Sequence, residues 1–293
     1  LPVFSFWGIP ENTKFICFDE EDKIQFTPRL NGYREALEWL SMIYTERLLD
    51  PECISQDTNV YNSKLNEDNN GLFVNSRMMS MSIDPVLDFV LMLPVSAQGY
   101  QPKIARALEL ASARTFVTVT NEHIPETMRW FDTCLETQTM FESYYGPEGE
   151  LWEWSDDGKI TLLNTDQETG KYAFGVNGLF YAPGDYYLSI FNMPDFRLEK
   201  VEYCNQYEQA GVIEKNSSRI LTSVVPKTSD EASQIALFET DIKKFMEESV
   251  TAFILQGVTD QSWQEFQDRI VSMNVDEYLS LYQAAYDRYQ ASN

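Results

Sequence analysis

Residues 116–159 decide the fold, and they read FVTVTNEHIPETMRWFDTCLETQTMFESYYGPEGELWEWSDDGK. Valine and threonine alternate at the start of this stretch, a pattern that is typical of a β-strand. A proline then occupies a position that suits the first turn of a helix, and apolar residues recur behind it at helical spacing. The pattern predicts a strand over 114–120, a helix over 125–141 and then a loop that carries Trp152 and Trp154.

Trp152 and Trp154 are separated by one residue, so on a β-strand both side chains would point to the same face. The apolar face of a sugar ring stacks on an aromatic ring, while polar groups bind the hydroxyls. The two tryptophans are therefore candidate carbohydrate contacts. The alternative is that both rings pack in a local core.

Composition excludes several classes of function. A chain of 293 residues can bury a substantial core and allows one large or two ordinary domains. The formal net charge of −24 argues against a nucleic-acid-binding surface and against adhesion to an anionic bilayer. No segment is apolar over the roughly 18 residues that a membrane helix needs, and no export signal opens the sequence. The sequence opens at Leu1-Pro2-Val3 without an initiator methionine, so we expect a fragment or a processed form.

The cysteines and the histidine give no sign of a metal or of nucleophilic catalysis. Cys17, Cys53, Cys134 and Cys204 are far apart and lack the close spacing of zinc or redox sites. Buried free thiols are favoured, and one disulfide remains an alternative. His123 is the sole histidine, which argues against a His-based metal site or a Ser-His-Asp triad.

An acidic run at 19–22 could suggest calcium, but it lacks the glycine and the distant glutamate of an EF-hand loop. We expect a solvated turn between two apolar segments instead. No cofactor or metal site is predicted.

The C-terminal third predicts three helices. Thr228 and Glu231 match a capping box, and Ser262 and Glu265 match a second one. Asn274 would start the third helix. The β-branched residues just before this region, at 220–225, predict a strand.

The order of these motifs resembles the extracellular solute-binding proteins of bacterial ABC importers, especially the sugar- and oligosaccharide-binding lipoproteins. Four stretches carry the resemblance: Leu-Leu-Asp-Pro-Glu at 48–52, Tyr-Gly-x-Glu-Gly at 145–149, Asp-Gly-Lys at 157–159 and Tyr-x-x-Ala-Tyr-x-Arg-Tyr at 282–289. The likeness spans about residues 24–291.

The resemblance implies an α/β, type II periplasmic-binding-protein-like fold, with two lobes joined by crossover strands and a C-terminal helical segment. Residues 1–113 and 228–293 would form the second lobe, and 121–218 would form part of the first lobe. Residues 114–120 and 219–227 would be the hinge crossings. Because family members are longer, the first lobe is expected to be incomplete in this sequence.

The function implied by the resemblance is capture of a sugar or oligosaccharide in the cleft between lobes, without catalysis. The protein would be a monomer outside the cell, anchored by an N-terminal lipid in its full-length form, and would deliver its ligand to ABC permease subunits. Besides Trp152 and Trp154, the resemblance points to Asn75, Ser76 and Arg77 at a strand end near the cleft. A polar strand end without a ligand is the alternative for these three.

Two other classes of function remain open from the sequence. A glycoside hydrolase would use two carboxylates, and Glu148, Glu150 and Glu153 lie near the tryptophans. A surface adhesion module would bind carbohydrate without transport.

Overall fold

The computed structural model divides the chain into two units. Unit one comprises Leu1–Leu108 and Gln206–Asn293, and unit two comprises Glu109–Asn205. The described residues are 2–10, 13–65, 71, 92–93, 95–105, 117–150, 152–163, 189–192, 202, 205–214, 218 and 220–292. Asn75, Ser76 and Arg77 lie outside the described residues. The predicted lobe boundaries and hinge crossings stay predictions.

Unit one begins with a 3₁₀ helix, Pro2–Trp7, and an antiparallel hairpin of β1 (Ile16–Phe18) and β2 (Ile24–Phe26). The acidic run forms the turn of this hairpin, where the Asp19 carboxylate accepts the backbone N–H groups of Glu21 and Lys23 at 2.9 Å. Such bonds from an aspartate to the backbone ahead of it stabilise tight turns. The predicted solvated turn is therefore confirmed.

The core of unit one lies between the N-terminal segment and the C-terminal helices. Helix α1 (Asn31–Thr45) buries an apolar stripe, as its helical spacing requires. The stripe comprises Tyr33, Ala36, Leu37 and Leu40. A short helix, α2 (Thr58–Leu65), follows.

Two long helices and a shorter one between them complete unit one: α6 (Ser229–Gln256), α7 (Asp260–Ser272) and α8 (Val275–Ser292). The predicted capping box of Thr228 and Glu231 is present in both directions. The box predicted at Ser262 is wrong, because Thr259 is the N-cap and Ser262 is its N3 partner. The chain thus uses the earlier hydroxyl, which starts α7 one turn sooner.

The strand predicted over 220–225 is also wrong. Ile220–Ser223 forms a short helix, α5. Lys227 Nζ donates to the backbone oxygens of Leu221 and Val225 at 2.7 and 3.2 Å. These bonds satisfy carbonyls that a single helical turn leaves without partners, so the local β-propensity is overridden.

Unit two is built from two helices and a small sheet. Helices α3 (Ile124–Leu135) and α4 (Thr137–Tyr145) are separated at Glu136, whose ψ of 133° breaks the single helix that the sequence predicted. Residues 117–120, predicted as a strand, are exposed and belong to no sheet. Val119 is 99% exposed there, and none of the described strands pairs with this stretch.

The sheet of unit two has the order β3 (Trp152–Trp154), β4 (Ile160–Leu162), β5 (Phe191–Asn192). Strands β3 and β4 form an antiparallel hairpin, and β5 runs parallel to β4. Across both units, the helices that the structure describes include none with the length and apolarity of a membrane span.

Candidate functional site

Trp152 is the fully buried member of the tryptophan pair. Its ring lies against Phe141 of α4, with ring centroids 5.6 Å apart. Its indole N–H donates to the backbone oxygen of Gly146 at 2.7 Å. Gly146 ends α4 with a φ of 90°, a conformation that glycine adopts without strain. Trp152 is thus engaged inside unit two and offers no exposed surface to a ligand.

Trp154 is the accessible member of the pair, with a relative exposure of 38% for the residue. Its ring meets Trp152 at a centroid distance of 6.2 Å and an interplanar angle of 75°. This contact agrees with the prediction that the two side chains lie on one face of the strand. Trp152 therefore packs against the inner side of Trp154, and edge-to-face packing of this kind limits the orientations that the Trp154 ring can adopt.

The opposite face of the sheet is polar. Strand register aligns Glu153 with Thr161 and Thr161 with Asn192 in one row. Paired residues on neighbouring strands share a face, and that face alternates with the one that carries the tryptophans. Glu153 is exposed, whereas Thr161 and Asn192 are half-buried.

The turn between β3 and β4 joins this polar row. The Asn192 amide nitrogen lies 2.9 Å from Thr161 Oγ1 and 3.1 Å from Ser155 Oγ. Ser155 Oγ in turn lies 2.6 Å from Asp157 Oδ1 and 2.7 Å from the Lys159 backbone oxygen. The Ser155 hydroxyl is the main reason that the pKa of Asp157 lies below its usual range, and the Lys159 backbone N–H adds to the effect. Asp157 is therefore ionised at neutral pH.

Sequence reasoning found the tryptophans and the Asp-Gly-Lys turn but missed Thr161 and Asn192. Asn192 lies in a two-residue strand that has no sequence signature, and about thirty residues separate it from β4. The local sequence offered one signal, a polar residue in the strand that follows the turn. That signal indicates Thr161 but not Asn192.

The carboxylates near the tryptophans are solvent-exposed. Glu148, Glu150 and Glu153 all belong to the exposed class, and Glu148 Oε2 accepts from the Gln138 amide at 3.3 Å. Within the described parts of both units, no group of three His, Cys, Asp or Glu side chains is placed to hold a metal ion.

A cavity of about 270 Å³ lies in unit one, between the segment at Lys14 and α6. Two of its charged groups pair with each other and with a core tyrosine: Lys14 Nζ contacts Glu239 Oε2, and the Tyr282 hydroxyl donates to Glu239 Oε1 at 2.6 Å. Burial raises the pKa of Tyr282, so this phenol stays a donor. The network joins α6 to α8 and to the N-terminal segment.

Solved structures of solute-binding proteins share this fold. An extracellular solute-binding protein from Bifidobacterium longum subsp. infantis matches with a TM-score of 0.73 at 13% identity, over 98% of this chain and 61% of that one. The alginate-binding protein AlgQ2 matches with a TM-score of 0.65 at 15% identity, over 97% of this chain and 62% of AlgQ2. The chain therefore has the fold of part of a type II periplasmic-binding-protein-like solute-binding protein, as predicted.

Within that class, the chain is similar to the fructooligosaccharide ABC transporter substrate-binding protein FusA of Streptococcus pneumoniae. The two sequences are 22% identical over 309 residues, which covers 99% of this chain and 55% of FusA. The structure of FusA in complex with kestose matches with a TM-score of 0.80 at 19% identity, over 99% of this chain and 60% of FusA. This chain thus spans between half and two thirds of the length of these relatives. No family model matches the sequence.

Proposed function

We propose that this chain is a large part of the extracellular substrate-binding component of an ABC importer, and that it captures an oligosaccharide for delivery to membrane permease subunits. The observation that carries the proposal is the match to FusA over 99% of the chain, in structures that contain kestose and fructo-nystose. Fructooligosaccharides are therefore the first ligand class to test.

Trp154 is the ring that we assign to sugar stacking. An exposed indole whose inner side is held by a second, buried indole presents a fixed apolar surface at little entropic cost on binding. Trp152 acts through Trp154, because its own surface is buried. Asn75, Ser76 and Arg77 remain proposed contacts on the strength of the resemblance alone.

The mechanism is capture by a shift in population between open and closed forms. A ligand that contacts both lobes only in the closed form binds that form more tightly than the open form. This difference in affinity stabilises the closed form. The proposed second lobe comprises residues 1–113 and 228–293, and residues 121–218 form the proposed part of the first lobe. We propose a monomer outside the cell, held to its surface by a lipid in the full-length protein.

The exposure of the nearby carboxylates favours binding over hydrolysis. A glycosidase acid must keep its proton near neutral pH, which enzymes achieve by placing the carboxyl group in an apolar setting. Glu148, Glu150 and Glu153 are all exposed to solvent instead. The relatives reported above are likewise named for binding and transport.

A thermal-shift and fluorescence titration with kestose, nystose, maltotriose and alginate oligomers tests the proposal. Kestose or nystose should raise the melting temperature, since a ligand that binds only the folded state stabilises it. Trp154→Ala should weaken binding roughly tenfold or more, whereas Trp154→Phe should lose less because it keeps an aromatic face.

Trp130 supplies the matched control for this experiment. It is 50% exposed and belongs to the same unit, but it lies on α3 rather than on the sheet. Trp130→Ala should leave the affinity unchanged. The proposal fails if none of the sugars binds, or if chromatography shows that the pure protein hydrolyses them.

A further inference from the structure

The polar row on the sheet has a defined direction of hydrogen bonding. Ser155 has one hydroxyl hydrogen, and both groups that it approaches, the Asp157 carboxylate and the Lys159 carbonyl, can only accept. Ser155 Oγ must therefore accept from its third neighbour, Asn192. This fixes the Asn192 amide with its NH₂ group toward Ser155.

The same constraint determines which hydrogen-bonding groups of Thr161 and Asn192 have no partner among the described residues. The second N–H of the Asn192 amide is directed at Thr161 Oγ1, 2.9 Å away, so the Thr161 hydroxyl accepts there and keeps its own hydrogen. Both bonds use the Asn192 amide nitrogen, so the carbonyl oxygen of this side chain takes part in neither. In the described part of the chain, neither the Thr161 hydroxyl hydrogen nor Asn192 Oδ1 has a protein partner.

A donor beside an acceptor is the complement of a sugar hydroxyl, which donates one hydrogen bond and accepts others. We propose that Thr161 and Asn192 together bind one hydroxyl of the oligosaccharide, and that Ser155 and Asp157 are positioning residues that fix the Asn192 amide. This inference rests on the proposed function. It adds a polar contact on the sheet face opposite Trp154.

The polar pair and Trp154 occupy neighbouring positions of the hairpin. Trp154 pairs with Ile160 at the turn end of the hairpin, and the row of Glu153, Thr161 and Asn192 is the next row of the sheet. Because successive residues of a strand face opposite sides, the proposed hydroxyl contact is separate from the stacking contact at Trp154.

Such a site selects its ligand by the presence of one hydroxyl. A site that hydrogen-bonds a substrate hydroxyl discriminates strongly against the analogue that lacks it, because its half-buried polar groups then lose their partners. Among the monodeoxy analogues of kestose, the one that lacks the bound hydroxyl should bind to the wild-type chain about tenfold more weakly than kestose. This comparison needs no variant protein and so does not depend on whether a variant folds.

The test combines this ligand series with variants of near-identical size. Thr161→Val removes the hydroxyl and should weaken kestose about tenfold while leaving the affinity for that monodeoxy analogue unchanged. Thr161→Ser restores the hydroxyl and should recover discrimination. Ser155→Ala frees the Asn192 amide and should reduce the preference for kestose over the analogue, an effect that general destabilisation would not produce.

The outcomes separate this inference from the function on which it rests. The inference is overturned if wild type and Thr161→Val bind kestose with equal affinity and wild type binds every monodeoxy analogue as tightly as kestose. The proposed function would still stand in that case. Absence of any fructooligosaccharide binding by wild type overturns both. Loss of discrimination in Thr161→Val with recovery in Thr161→Ser supports both.

Discussion

Replacing Trp152 by phenylalanine should destabilise unit two. The substitution removes the indole N–H and leaves the buried Gly146 carbonyl without its 2.7 Å hydrogen bond. An unsatisfied buried carbonyl costs about 1–3 kcal/mol, and the smaller ring adds about 1 kcal/mol for the space left beside Phe141. The expected loss in the free energy of unfolding is therefore about 2–4 kcal/mol.

Trp154→Phe is the matched comparison, because Trp154 occupies the same strand and the same face but is 38% exposed. Its expected cost is below about 1 kcal/mol. Urea denaturation followed by far-UV circular dichroism measures both values, and calorimetry checks whether the two units unfold together. Equal costs for the two variants, or a cost below about 1 kcal/mol for Trp152→Phe, would refute the assignment of Trp152 as the buried support.

Three further predictions concern unit one. Thr228→Ala removes the N-cap of α6 and should cost about 1 kcal/mol in urea denaturation, while an unchanged midpoint would contradict the capping box. Arg288 and the Thr228 backbone N–H lower the pKa of Glu231 to about 2, from an ordinary value of 4.5. Because the folded-state pKa is the lower one, this stabilisation is complete above pH 4.5 and is lost as pH falls toward 2, and Glu231→Gln should flatten that acid-side slope. Burial raises the pKa of Cys17 to about 12, so iodoacetamide at pH 8 should label this thiol only after denaturation, as peptide mass spectrometry would show.

Local patterns predicted the helices more accurately than the strands. The capping box at Thr228 was predictable because its two partners are three residues apart in sequence. The box at α7 was misplaced because Thr259 and Ser262 are both good N-cap residues, and the local sequence pattern does not distinguish between them. Four of the six residues at 220–225 have β-branched side chains, yet Lys227 and the surrounding core hold Ile220–Ser223 as a helix.

The candidate site shows the same division between local and tertiary information. A period of two placed Trp152 and Trp154 on one face, but it could not tell which ring is buried. That outcome depends on Phe141, which belongs to a helix that the sequence predicted as part of a longer one. Asn192 reaches the site through a parallel pairing with β4 that leaves no trace in the local sequence.

Isothermal titration of the 293-residue chain with kestose measures directly whether the protein captures an oligosaccharide. We expect a saturable signal with about one site per chain, weakened by Trp154→Ala and unchanged by Trp130→Ala. A folded chain that shows no saturable binding of kestose, nystose or the other sugars of the panel would overturn the proposed function.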